Sequence, residues 1–266
     1  MLIDTHCHLT STGLVERVDE VLTAARDAGV GRMVMVTEDP DDGRVGAGLL
    51  EGRPELFLVT GIHPHRAGQC TPERLEAMAS LLRGEGLRED VRDRIVGVGE
   101  TGVDLYYDFA PQEQQEEVLR AHLALAVSLN RPVVIHARQA EVRVCEILAE
   151  FPALAGRVVF HCYSGDKAAT RRVLDLGCYC SFTGVVTFKH AGTIRESARF
   201  VPIDRIMVET DAPFLSPEPV RATKPNEPAL VVHTARFLAD MRGEDMEAFE
   251  ATTTANAIRF FGLPEG

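Results

Sequence analysis

The sequence predicts an α/β fold of the TIM type, a (β/α)8 barrel occupying residues 1–266 as one domain. Three observations predict it. Strand-like and helix-like segments alternate eight times at the spacing that βα units require. Most strand candidates are continuous Val/Ile runs, as expected when both faces of a parallel sheet are covered. No Gly-x-Gly-x-x-Gly follows the first strand, which weighs against a dinucleotide-binding sheet.

Leu2–His6 opens the chain as a strand. Leu14–Ala28 has helical spacing of Val15, Val18, Val21, Leu22 and Ala25, with Gly29 as its stop. Arg32–Val36 is the second strand, and Gly43–Gly52 a short helix weakened by its glycines. Leu56–Gly61 is the third strand and runs into Ile62-His63-Pro64-His65. Thr71 caps a helix over Pro72–Leu82, with Pro72 in the first helical position. Arg83–Arg94 reads as a charged, solvated insertion.

Arg94–Gly99 is the fourth strand and ends at Glu100, and Pro111–Leu129 is a long amphipathic helix. Pro132–Ile135 ends at His136 and is followed by a helix over Glu141–Glu150. Arg157–Phe160 ends at His161, before a helix over Lys167–Leu176. Cys178–Phe182 and Arg205–Val208 are the last two strands, separated by a short helix at Ile194–Phe200. The last strand delivers Glu209 and Asp211 before Pro213, and helices Ala229–Met241 and Met246–Phe261 close the chain.

Hydrophobic residues make up 45% of the sequence, enough for a sizeable core. Forty acids against 28 bases give a net charge of −12, which argues against loose, charge-driven binding to nucleic acid. Six scattered cysteines without a Cys-x-x-Cys pair read as reduced thiols of a cytoplasmic protein. The N-terminus has no signal-peptide pattern, and no apolar run reaches the ~20 residues of a membrane span.

In such a barrel the chemistry sits at the carboxyl ends of the strands. His6 and His8, Glu100, His136, His161 and Asp211 fall there. His6 and His8 are two apart, so both point to one side while Cys7 points away. Four imidazoles and two carboxylates suit zinc or another divalent ion. Six donors exceed the needs of one open catalytic site and suit two ions. His6, His8 and Asp211 are assigned to one ion, His136 and His161 to the other, and Glu100 to both. Burying so many ionisable groups without a cation would be costly. Two such ions generate hydroxide and hold the attacking and leaving oxygens of a phosphoryl displacement.

Six stretches carry a family resemblance: Ile3-Asp4-Thr5-His6-Cys7-His8, Gly61-Ile62-His63-Pro64-His65, Gly99-Glu100-Thr101-Gly102-Val103-Asp104, His161-Cys162-Tyr163-Ser164-Gly165, Val208-Glu209-Thr210-Asp211-Ala212-Pro213 and Asn226-Glu227-Pro228. In order and spacing they resemble the TatD family of metal-dependent deoxyribonucleases. The resemblance implies a metal-dependent hydrolase cutting phosphodiester bonds in DNA, single-stranded or at 3′ ends, with two divalent ions (Zn, Mg or Mn) on the six donors. Two stretches depart from the family. Val103-Asp104-Leu105-Tyr106-Tyr107 is one residue longer than the usual version. The family's Arg-Gly-Lys-x-Asn-Glu-Pro run is replaced by Arg221-Ala222-Thr223-Lys224-Pro225-Asn226-Glu227-Pro228.

The mechanism expected is attack by a metal-bound hydroxide, with Asp211 as proton acceptor and Glu209 orienting a ligand or the water. His63, Arg138 and Lys224 are candidates for phosphate contacts. Tyr106, Tyr107 and Phe109 form an aromatic loop on which bases can stack, and Asp104 either caps that loop or adds to the metal surround. His122 is taken as structural or exposed. Two alternatives stand beside this reading. One is an amidohydrolase or phosphotriesterase-like enzyme of a small molecule, the other a non-catalytic metal-binding interaction module.

Overall fold

The computed structural model describes residues 1–265. Among them, eight strands form one parallel sheet whose hydrogen-bonded order follows the chain: β1 (Leu2–Cys7), β2 (Val30–Thr37), β3 (Leu56–Thr60), β4 (Ile95–Asp104), β5 (Val133–Arg138), β6 (Val158–Phe160), β7 (Tyr179–Phe182) and β8 (Ile206–Val208). The helices are α1 (Val18–Asp27), α2 (Pro40–Leu49), α3 (Pro72–Arg83), α4 (Glu89–Arg92), α5 (Gln112–Leu129), α6 (Glu141–Leu148), α7 (Lys167–Asp175), α8 (Gly192–Phe200), α9 (Val231–Arg242) and α10 (Met246–Phe261). The residues following β8 return to β1. Asp211 N–H donates to the His6 carbonyl at 2.9 Å and His8 N–H to the Ala212 carbonyl at 2.7 Å. An ordered parallel sheet whose last strand meets its first is the (β/α)8 barrel that the alternation predicts.

Most elements fall within two residues of their predicted bounds; α1 begins at Val18, four residues late, because Val15–Arg17 forms a 3-10 turn, and the other exceptions have local causes. α2 begins at Pro40, three residues early, because the Asp39 carboxylate accepts the Asp41 and Asp42 amides at 2.8 and 3.0 Å. The expected solvated insertion Arg83–Arg94 instead contains α4 and buries Val91. Charge counting alone overlooks this one apolar anchor. β4 and β5 continue past Glu100 and His136 to Asp104 and Arg138, so those two groups lie inside strands rather than at their tips.

The chain packs as two compact units. The first comprises Met1–Met35, Cys162–Thr170 and Cys180–Gly266. Its core includes the fully buried Phe182 and Phe249. The Asn256 amide on α10 donates to the Ile203 and Ile206 carbonyls at 2.8 and 2.9 Å, fixing that helix against the start of β8. The second unit comprises Val36–His161 and Arg171–Tyr179. In its core, His122 on α5 bonds the Val118 carbonyl through Nδ1 at 2.8 Å and accepts the Ile62 N–H at Nε2 at 3.0 Å. Among the described residues, no helix is long and apolar enough to cross a membrane.

Candidate metal centre

In the first unit, the end of β1 and the turn after β8 bring three donors together. His6 Nε2 lies 3.1 Å from His8 Nε2. Asp211 Oδ1 lies 3.8 Å from the former and 3.4 Å from the latter. Cys7, between the two histidines, is fully buried with Sγ 3.7 Å from the Val34 carbonyl, as strand parity requires.

The turn bearing Asp211 is fixed from two sides. Asp4 is fully buried and accepts the Thr210 amide at 2.9 Å and the Thr210 hydroxyl at 2.6 Å. Burial pushes the Asp4 carboxyl up to about 8 despite those bonds. Asn226, also buried, donates its amide to the carbonyls of Thr210 and Phe214. Asp211 itself has φ +56°, in the left-handed region, which Asp tolerates better than most side chains. Glu209 is buried and accepts the Cys162 N–H at 2.6 Å. Glu227 pairs with Arg17. Lys224 is exposed and makes no hydrogen bond or ion pair among the described residues.

In the second unit, three imidazoles surround Glu100 Oε1. His161 Nε2 stands at 2.7 Å, His136 Nδ1 at 2.8 Å and His63 Nε2 at 3.3 Å. Burial opposes ionisation of Glu100, but the neighbouring His161, His63 and His136 overcome it and hold the carboxyl well below its usual range. Two glycines make room for this arrangement. Gly99 has φ +134° and Gly102 φ +154°, and a Cβ on either would overlap a β5 carbonyl oxygen, that of Val134 or of His136. Gly102 pairs in register with His136. Glu100 and Asp104 lie two residues to either side of it, and each reaches one nitrogen of the His136 ring.

Asp104 settles two questions the sequence left open. Its Oδ2 lies 2.9 Å from His136 Nε2 and 2.9 Å from His65 Nε2, while Oδ1 accepts the Tyr106 and Tyr107 amides at 2.9 and 3.0 Å. It therefore both caps the loop and orients a metal-ligand candidate. Burial would raise its pKa, yet its bonds to His136, the Tyr107 amide and His65 hold it far below the usual carboxylate range. The sequence left Asp104 open between loop cap and metal surround, and made His65 a weaker candidate than His63. The even spacing Glu100, Gly102, Asp104 on one strand was the available signal.

The histidine tautomers follow from these bonds. His63 Nδ1 accepts the His65 N–H at 3.1 Å, so the proton of the neutral ring is on Nε2, facing Glu100. Burial keeps that ring neutral, lowering its pKa to about 4. His63 is thus a donor in this arrangement, not a ligand. His136 gives Nε2–H to Asp104 and turns Nδ1 toward Glu100 Oε1; burial opposes protonation of the ring, but its hydrogen bonds to these two carboxylates raise its pKa. Two facing lone pairs call for a proton or a cation between them. Donors about 2.0–2.2 Å from one tetrahedral ion stand roughly 3.3–3.6 Å apart. The separations within His6, His8 and Asp211, 3.1, 3.4 and 3.8 Å, bracket that range, and around Glu100 a cation would draw the donors apart by about half an ångström or more. Both donor sets, nitrogen with carboxylate oxygen, suit a first-row divalent ion.

Arg138 ends β5 exposed to solvent, its guanidinium 4.0 Å from the Tyr106 ring centroid and 4.8 Å from that of Tyr107. The six cysteines are all unbridged.

A (β/α)8 barrel with imidazole–carboxylate clusters along its strands defines the class of metal-dependent hydrolases. Comparison with known proteins narrows the class. Residues 3–262 match the family described as TatD related DNase, and the chain belongs to that family. It is 35% identical over 265 residues to the metal-dependent hydrolase YcfH of Escherichia coli K12, covering 98% of this chain and 96% of that protein. It is 31% identical over 266 residues to a protein of Citrobacter koseri named 3′-5′ ssDNA/RNA exonuclease TatD, covering 98% and 99% of the two chains. The crystal structure of YjjV, a TatD homologue from E. coli K12, superposes with a TM-score of 0.92 at 25% identity, covering 99% of this chain and 98% of that one.

Proposed function

We propose that this TatD-type hydrolase cleaves phosphodiester bonds of nucleic acid, acting as a 3′ exonuclease on single-stranded or frayed ends with two divalent cations. The observation that carries the proposal is the presence of two separate donor sets, His6–His8–Asp211 and Glu100–His136–His161, each completed within its own compact unit. A relative named as an ssDNA/RNA exonuclease supports the choice of substrate.

In this reading His6, His8 and Asp211 would hold one cation, and Glu100, His136 and His161 the other. Such cations lower the pKa of water and neutralise charge developing on phosphoryl oxygens. The protein's own groups do the rest. Asp211, the one partly exposed carboxylate among these donors, takes the proton of the attacking water. Glu209, held by the Cys162 amide, orients that neighbourhood. His63, a buried neutral ring whose Nε2–H faces Glu100, is the donor that would turn this proton to a phosphoryl oxygen. Arg138 is suited to bidentate phosphate contacts, and Lys224 to a looser one at the rim.

The test is chelation and add-back. Stripped protein is expected to release no nucleotides from single-stranded DNA, and Mg, Mn or Zn to restore release. A blunt duplex should be cut more slowly than a single strand. Release that survives complete chelation overturns the metal-dependent scheme. Turnover of amides or phosphotriesters, with nucleic acid untouched, would transfer the site to the amidohydrolase reading.

A further inference from the structure

The second unit exposes an aromatic loop whose rings have no role in holding the core. Leu105–Phe109 are exposed at all five positions. Nine large hydrophobic side chains are exposed among the described residues, and four of them, Leu105, Tyr106, Tyr107 and Phe109, lie in this loop. Such clustering marks a contact surface rather than scattered surface hydrophobicity.

The loop is held in place before anything binds. Asp104 Oδ1 accepts the Tyr106 and Tyr107 amides, and the His65 ring packs 4.6 Å from Phe109 and 5.5 Å from Tyr107. Arg138 stacks on both tyrosines and has no carboxylate partner among the described residues, which leaves its N–H groups free for an anion. An exposed aromatic pair, a stacked unpaired guanidinium and a preordered backbone fit one ligand chemistry, a planar base attached to a phosphate. The base must be unpaired, because a ring face is open to stacking only outside a duplex.

We propose that Tyr106 and Tyr107, clamped by Arg138, form the nucleobase-binding platform of this protein, with Arg138 holding the phosphate attached to the stacked base. This rests on the nucleic-acid reading above and deepens it to a subsite. It also links the platform to the donor group, since Asp104 holds the loop with one oxygen and His136 with the other.

The chain contains no tryptophan and four tyrosines, and Tyr163 and Tyr179 are buried, so Tyr106 and Tyr107 are the two exposed tyrosine emitters. The experiment titrates the purified holoprotein with deoxyadenosine monophosphate and with 2-deoxyribose 5-phosphate, which lacks the base. The expected result is quenching of tyrosine emission by the nucleotide alone, with binding about tenfold tighter than for the sugar phosphate. The double variant Y106A/Y107A should lose that preference, and Y106F/Y107F should keep it in a competition assay. Because both side chains are exposed, neither variant removes core packing. Equal affinity of the wild type for the two ligands, or a preference surviving in Y106A/Y107A, overturns the platform. A wild-type dimer that the alanine variant converts to a monomer, with no base dependence, also overturns it and gives the surface to a second copy. Base-dependent quenching in a protein that hydrolyses no nucleic acid would defeat the nuclease proposal and leave the platform standing.

Discussion

Asp104 accepts the Nε2–H of His136 at 2.9 Å, and this fixes which nitrogen of that ring faces Glu100. Without the carboxylate the ring is free to flip or to change tautomer. Partners of this kind typically contribute 10–100-fold to metal affinity. Asp104→Asn is nearly isosteric but uncharged, and its amide nitrogen cannot accept from His136 or His65. We expect the weaker-binding cation to be lost at about 10–100-fold lower chelator strength in competition titrations. Unchanged affinity would show that Asp104 serves only the loop.

Gly102 lies opposite His136 in the β4–β5 register, at φ +154°, with no room for a Cβ beneath the His136 carbonyl. Gly102→Ala combines backbone strain with a displaced strand. A loss of about 1–3 kcal/mol or more follows from strain of this type. Urea denaturation with the slope unchanged and the midpoint lowered would register it. A midpoint equal to wild type would mean that β5 can move away freely.

These two residues also show where the sequence was legible and where it was not. His6 and His8 were readable because parity on a strand is local, and Cys7 duly points to the other side. The barrel was readable because βα alternation repeats. Asp104 stayed open between loop cap and metal surround, because the fourth strand was taken to stop at Glu100 whereas β4 continues for four more residues. Asn226 was legible as part of a motif but not in its role. Its bonds to Thr210 and Phe214 span 16 and 12 residues, which no periodicity encodes. Lys224 remained a candidate on charge alone, and position brings it no partner among the described residues.

His122 supplies a pH dependence away from the donor groups. Burial lowers its pKa from 6.5 to about 4, and its two nitrogens are already committed to the Val118 carbonyl and the Ile62 N–H. Protonation would put an N–H against the Ile62 N–H. The folded pKa lies below the unfolded one, so between these values the unfolded chain binds the proton that the folded chain refuses. Stability from this residue is full above about pH 6.5 and is lost as pH falls toward 4, on the order of 3 kcal/mol over the window. Comparing the urea midpoints of wild type and His122→Gln at several pH values isolates this share, since the other titrating groups are common to both. Parallel pH curves would contradict it.

His63 separates donor from ligand in the second unit. Its Nδ1 accepts the His65 amide, so Nε2 carries a proton and is closed to a cation. A ligand and a donor respond differently to deletion. His63→Ala should leave cation stoichiometry and affinity within about twofold of wild type, while kcat on single-stranded DNA falls about 10²-fold, the size of effect seen when one preorganised donor is removed from a developing oxyanion. His161→Ala is the contrast, because it removes a nitrogen 2.7 Å from Glu100 Oε1 and should reduce both cation content and turnover. Metal analysis of the two variants, dialysed side by side, decides the matter. If His63→Ala loses a cation as His161→Ala does, the Nε2 proton has been misassigned and His63 joins the ligand set.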